Sequence, residues 1–215
     1  LVTGCGIMQN TSENEGGGIY ADNDEGKVTK DYRAHLFSNT IVENTANAGG
    51  GIYLEAGAAM TVNSVVWGNQ AGSDKNVSGV VNMPFEDSYF TKLQQVTGDS
   101  WYPFNNCYIE QAEFPSNFGG NPSMSSVKNQ YFSEYFTLKP YSILVDKGMV
   151  ETIQEELAKT YGIATYDMQG IARRNYPSQP ASMDKLIDVG AYAYTGGTMR
   201  TDYIVRRLFV SPADN

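Results

Sequence analysis

Gly16-Gly17-Gly18-Ile19-Tyr20 and Gly49-Gly50-Gly51-Ile52-Tyr53 are two copies of one phrase, their isoleucines 33 residues apart. A companion phrase precedes each copy. Ile7-Met8-Gln9-Asn10-Thr11 returns as Ile41-Val42-Glu43-Asn44-Thr45, and a third, altered version stands at Val65-Val66-Trp67-Gly68-Asn69. Repetition at a period of some tens of residues marks one structural unit stacked on itself, so the architecture is read from the repeat.

Inside the repeat, short apolar segments alternate with Gly, Asn and acidic corners. Ile52-Tyr53-Leu54, Ala59-Met60-Thr61-Val62 and Val65-Val66-Trp67 each read as a strand with side chains alternating between two faces. Strands this short are unstable as isolated hairpins and need a neighbour from the next winding on each side. The expected fold is therefore all-β, the last coils of a right-handed parallel β-helix, with Ile19 beneath Ile52 inside and Tyr20 beneath Tyr53 outside. Asn10, Asn44 and Asn69 recur at spacings of 34 and 25 residues. Asn tolerates left-handed corners and its amides can hydrogen-bond in ladders. The unequal spacings imply loops of different length, longest around Asp22–Lys30.

Composition agrees. Among 215 residues are 22 Gly and 15 Tyr but only 18% charged side chains, which suits short strands and tight corners better than a helical bundle. The net charge of −9 opposes binding to nucleic acid or to an anionic membrane surface. No apolar run reaches the length of a membrane span, so direct insertion is not expected. Cys5 and Cys107 are too few for a disulfide framework or a zinc site and read as buried small apolar residues. The opening at Leu1-Val2-Thr3 lacks Met and reads as mid-repeat, so the chain is expected to be part of a longer polypeptide.

The pattern N-T-[IV]-x-x-N-x-A-x-x-G-G-G-I-Y, carried here by residues 39–53, resembles the right-handed β-helix repeats of bacterial surface proteins, notably those of Bacteroidetes. It is also similar to the repeats of polymorphic outer-membrane proteins. Asn63-Ser64-Val65-Val66-Trp67-Gly68-Asn69 resembles the last full coil of such domains. Gly120-Asn121-Pro122, Tyr135 to Gly148, then Asp167-Met168-Gln169-Gly170-Ile171-Ala172-Arg173 and Ile187-Asp188-Val189-Gly190-Ala191-Tyr192 resemble their C-terminal closure. That closure departs at Ala193, where the family usually carries Glu, which alters one polar contact. Arg207 to Asn215 resembles the opening strand of a following domain. The resemblance divides the chain into coils at 1–118, a capping region at 119–194 laid over the open coil end, and a linker with a new strand at 195–215. Within the cap, Val150–Tyr161 reads as a helix with Ile153, Leu157 and Tyr161 on one face, a Glu155–Lys159 pair on the other, and Gly162 ending it.

The resemblance implies a non-catalytic module of a secreted or outer-membrane-attached bacterial protein, at the extracellular or outer-membrane surface. Display, adhesion, or binding of a glycan or cell-surface protein partner would be its work. A structural subunit of a surface assembly is a further reading. The competing class is an enzyme, a polysaccharide lyase or glycoside hydrolase with its site on upstream coils or long loops. A lyase needs a base beside the uronate carboxylate and a cation to stabilise the enolate. Lys30, Arg33 and His35 are the only catalytic candidates, and a solvated charged loop leading into the strand at Leu36-Phe37 is the favoured explanation of them. Asp22 and Asp24 in Asp22-Asn23-Asp24-Glu25-Gly26 suggest a weak Ca²⁺ site, although Gly26 comes one residue early and no Glu occupies the twelfth position. Otherwise no cofactor is expected. Tyr20, Tyr53 and Trp67 are the ligand-binding candidates, as an aromatic platform for sugar rings or simply as rings covering the sheet. Asp167, Arg173 and Asp188 read as a salt-bridged clasp.

Overall fold

The computed structural model describes residues 1–22, 34–55, 59–79, 104–105, 107–110, 131–134, 136–139, 142–149, 151–163, 165–173 and 187–194. It is mostly strand, arranged in short parallel sheets. The first pass of the chain contributes β1 (Val2–Thr3), β2 (Gly6–Met8) and β3 (Ile19–Ala21). The second contributes β4 (Ala34–Phe37), β5 (Thr40–Val42), β6 (Thr45–Ala48) and β7 (Ile52–Leu54). A third gives β8 (Ala59–Val62), β9 (Val65–Trp67), β10 (Gln70–Ser73) and β11 (Val77–Gly79), and β12 (Phe104–Asn105) and β13 (Tyr108–Ile109) follow.

Corresponding strands of successive passes pair in parallel, forming the ladders β1-β4-β8-β12, β2-β5-β9-β13, β6-β10 and β3-β7-β11. In the third of these the first pass takes part through single bridges, Thr11 to Thr45 and Glu15 to Ala48. The register is the one the repeat predicts: Ile19 pairs with Ile52 and Tyr20 with Tyr53. The strands expected at 52–54, 59–62 and 65–67 have those bounds.

The corners between ladders repeat as faithfully as the strands. Left-handed backbone occurs at Gly4, Ser38 and Asn63, again at Gln9, Glu43 and Gly68, and again at Gly16, Gly49 and Asp74. Each set occupies equivalent places in three passes. Non-glycine residues rarely adopt this conformation, so its recurrence shows the fold setting the backbone at these points. In Gly-Gly-Gly each position has its own reason. Gly16 and Gly49 turn the corner with φ of 65° and 57°. A Cβ at Gly17 would collide with the carbonyl of Gly50, and one at Gly50 with that of Gln70. A Cβ at Gly51 would press into the Asn69 amide.

That amide belongs to a buried column. Asn44 Oδ1 accepts from Asn10 N at 3.0 Å and Asn10 Nδ2 at 2.9 Å, while Asn69 Oδ1 accepts from Asn44 N at 2.9 Å and Asn44 Nδ2 at 3.0 Å. Each Nδ2 also reaches a strand carbonyl, Ile7 for Asn44 and Ile41 for Asn69. The column ends on Asn76, which stands where earlier passes have Gly51 and Gly18. Its Oδ1 accepts from Asn69 Nδ2 at 2.9 Å, and its own Nδ2 donates to the Glu110 carbonyl.

Two apolar clusters result from the alternation along the strands. Leu36, Ile41, Ile52, Leu54, Val66, Val77 and Ile109 form the cluster enclosed by the ladders. The opposite faces of β5, β9 and β13 present Val42, Val65, Trp67 and Tyr108 to a second cluster with Phe132, Phe136, Leu144, Val189 and Tyr192. Burying each such side chain contributes about 1.5–3 kcal/mol.

The described residues between 131 and 194 that pack on the ladders do so along the flank of the β2-β5-β9-β13 ladder. Ala191 N donates to Thr40 Oγ1 at 2.9 Å in the second pass, and Gly190 N donates to the Asn63 carbonyl at 2.9 Å in the third. Met168 lies against Gly6 in the first. Large apolar residues on the outer face of that ladder make the flank itself the surface that needs covering. Asn63 is the junction: Met149 N donates to its Oδ1, and its Nδ2 donates to Ser38 Oγ and to the Asp188 carbonyl.

The single described helix, α1 (Glu151–Tyr161), starts one residue later than predicted. Gly162 ends it at φ 69°, donating to the Ala158 carbonyl. Leu157 is buried as expected, and Lys159 pairs with Glu156 at 2.7 Å, with the charge of Glu155 also acting on it; Lys159 and Glu156 are exposed. Cys107 is buried and Cys5 is exposed, both as free thiols, so the expectation of burial fails for Cys5. It lies in the first pass, beside the ladder's outermost strand. The proposed linker and strand at 195–215 lie outside the described residues.

Asn44→Ala is expected to lower unfolding free energy by about 2–4 kcal/mol, because it orphans buried groups on both sides. Asn10→Ala, at the exposed end of the column, is expected to lower it by less than about 1 kcal/mol. Urea unfolding followed by circular dichroism measures both; equal losses would contradict a column whose strength comes from burial.

Candidate functional site

Tyr20 on β3 and Tyr53 on β7 project outward from paired strands, and their rings stack with centroids 5.6 Å apart and planes 12° apart. Inward alternation of Ile19, Ile52 and Leu54 into the core fixes both tyrosines on the outer face. Tyr20 is 48% exposed. Its hydroxyl donates to Glu55 Oε2 at 2.6 Å. That hydrogen bond, with some desolvation and the charges of Asp22, Glu55 and Glu15, drives the phenol well above its ordinary range. Tyr20 is therefore a neutral donor, with Glu55 held against it. The next residue in this outward column is Ser78 on β11, in register with Tyr53, and its Oγ donates to Asp74 Oδ2 at 3.0 Å.

Trp67, expected nearby, is not part of this surface. It lies on β9, in a different ladder, buried to 5% exposure with its ring 5.8 Å from Phe132. The apolar flank takes it, leaving Tyr20 and Tyr53 as the aromatic platform.

Of the proposed catalytic group, only His35 falls among the described residues. His35 sits on β4, half-buried, its ring 6.1 Å from that of Phe37. Lys30 and Arg33 lie outside the described residues, as does Asp24. Asp22 is exposed at the end of the first pass. Among the described residues no three His, Cys, Asp or Glu side chains gather as a metal site. None of the described helices is long and apolar enough to cross a membrane.

The clasp differs from its expected form. Asp167 and Asp188 are buried, and backbone amides hold them. Asp167 Oδ1 accepts from Gln169 N and Ile171 N, and its Oδ2 accepts from Ala193 N. Asp188 accepts from Asp146 N and Tyr194 N. Arg173 is 2% exposed, and its Nε, Nη1 and Nη2 make no hydrogen bond. Both aspartates act on it through charge alone. Burial lowers its pKa to about 10 against the opposing pull of Asp167 and Asp188. Ala193, the one departure from the closure pattern, is buried here and brings no carboxylate to this cluster. Sequence reasoning found the three residues but assigned the aspartates the wrong partners. The signal lay in Asp-x-x-Gly, a spacing at which a carboxylate accepts the amides of its own turn.

Compared with family models, curated proteins and solved structures, the chain matches none.

Burial raises the pKa of Asp188 to about 6, against the two amides and Arg173, which lower it. A carboxyl that holds its proton more tightly when folded stabilises the acid form. Its contribution is whole below about pH 4 and is lost as the pH rises through about 6. Unfolding free energy is thus expected to rise on going from pH 7.5 to pH 5, with about 1–1.5 kcal/mol from this group. Asp188→Asn should flatten that part of the urea-denaturation profile; an unchanged pH slope would remove Asp188 as its source.

Proposed function

We propose that this chain is a stretch of right-handed parallel β-helix serving as a non-catalytic binding module of a secreted or outer-membrane-attached bacterial protein, displayed at the cell surface to engage a glycan or a cell-surface partner. Support for the helical winding comes from the parallel ladders, their equal register from pass to pass and the recurrent left-handed corners. Parallel crossovers within one sheet are right-handed in nearly all proteins, which favours that hand. Resemblance of the repeat and closure motifs to bacterial surface proteins favours the location.

One observation carries the binding reading: two tyrosine rings, stacked and outward, held on a rigid parallel ladder with a carboxylate fixed beside them. Flat aromatic rings with a polar tip are the common currency of sugar and protein recognition. A stacked pair on strands is also already ordered, so little conformational entropy is lost on binding.

A glycan-array screen of the intact protein, with absorbance of unsaturated uronates followed in parallel, tests this. Saturable binding to a subset of glycans without product release is the expected outcome. Release of unsaturated product, abolished by changing Lys30, Arg33 or His35, would replace the proposal with a polysaccharide lyase.

A further inference from the structure

The outward column of the β3-β7-β11 ladder reads Tyr20, Tyr53, Ser78, so two rings are followed by a residue whose side chain stops one atom past Cβ. Tyr53 is covered by Tyr20 on one face. Its other face looks along the ladder toward the level of Ser78, where no third ring stands among the described residues. Strands in a parallel ladder are spaced at about 4.8 Å, within the range at which one ring stacks on another. Asp74, bonded to Ser78 Oγ, sits at that same level.

We infer that a pyranose ring of an uncharged polysaccharide occupies the level of Ser78, completing the column as a third ring against Tyr53, with Asp74 accepting its hydroxyl hydrogens. This rests on the binding-module reading and narrows it to a substrate class. Sugar C–H faces are weakly positive and stack on the negative face of a phenol. Asp74 and Glu55 are acceptors matched to neutral hydroxyls. Those carboxylates, with Asp22 beside Tyr20 and a chain charge of −9, repel uronate and sulfate groups. The same charges disfavour the acidic polymers on which lyases act. A strand-adding peptide is excluded at Tyr53, because β7 already pairs with β3 and β11 on its two sides.

The test is calorimetric titration of the intact protein with neutral gluco-, manno- and galacto-oligosaccharides, oligogalacturonate and a sulfated oligosaccharide. At least one neutral series should bind, and the acidic ones should bind at least tenfold more weakly. Tyr53→Ala should weaken neutral binding about five- to tenfold, the size of one aromatic stacking contact. Ser78→Tyr supplies the third ring from the protein itself. It should weaken binding at least as much while leaving the melting temperature unchanged or higher, which separates blockage from misfolding. Undiminished neutral binding in Ser78→Tyr, or tighter binding of oligogalacturonate, would overturn this site and leave the module reading standing. Folded protein that binds none of these sugars would overturn the inference, and the glycan part of the module reading with it.

Discussion

A backbone amide at a buried corner has no strand neighbour to accept its hydrogen, and leaving it bare costs about 1–3 kcal/mol. The protein meets this demand with asparagine side chains from the following pass. Each Oδ1 takes both the backbone and the side-chain hydrogens of the Asn before it, and each Nδ2 goes on to a strand carbonyl. One residue type thus links backbone segments of successive passes along this column. Because an amide spans only one strand spacing, the column also sets the distance between passes. That distance leaves no room for a side chain at Gly17, Gly18, Gly50 or Gly51. The glycine run and the asparagines are two halves of a single constraint.

A second consequence appears on the flank. With Ile41, Val66 and Ile109 turned inward, alternation sends Val42, Trp67 and Tyr108 outward. The ladder is apolar on both faces and cannot stand in water uncovered. The segments around 131–149 and 187–194 cover it, keyed by Asn63 and by two glycines that approach too closely for a side chain. A Cβ at Gly148 would meet Asn63 Oδ1, and one at Gly190, at φ 94°, would meet Thr40 Oγ1. Asp167 accepts the amides of its own turn and of Ala193, and Asp188 accepts those of Asp146 and Tyr194, which leaves Arg173 as a buried charge balanced only through space.

Much of this was legible in the residues. Two copies of Gly-Gly-Gly-Ile-Tyr fixed the pairing of Ile19 with Ile52 before any coordinate, because identical phrases that stack must stack in phase. The helix was equally plain from its period and Gly162. What escaped was the flank. Thr40-Ile41-Val42 and Val65-Val66-Trp67 are unbroken runs rather than alternations, the mark of strands buried on both faces. Trp67 was assigned to an outer platform when that run already gave it a partner on the other side. Ser38, Gln9, Glu43 and Asp74 also gave no warning of left-handed backbone, since none is glycine and only their place in the repeat imposes it.

Near-identical passes carry a hazard, because each can dock out of step by one whole unit and still satisfy most of its partners. Asn76 removes that ambiguity. Where two earlier passes present a bare glycine, the third presents an amide that fits only against Asn69 and beneath Glu110. A pass slipped by one would drive this amide into the tight space kept for Gly51 or Gly18. The exception to the repeat therefore marks one pass and ties it to its own neighbours.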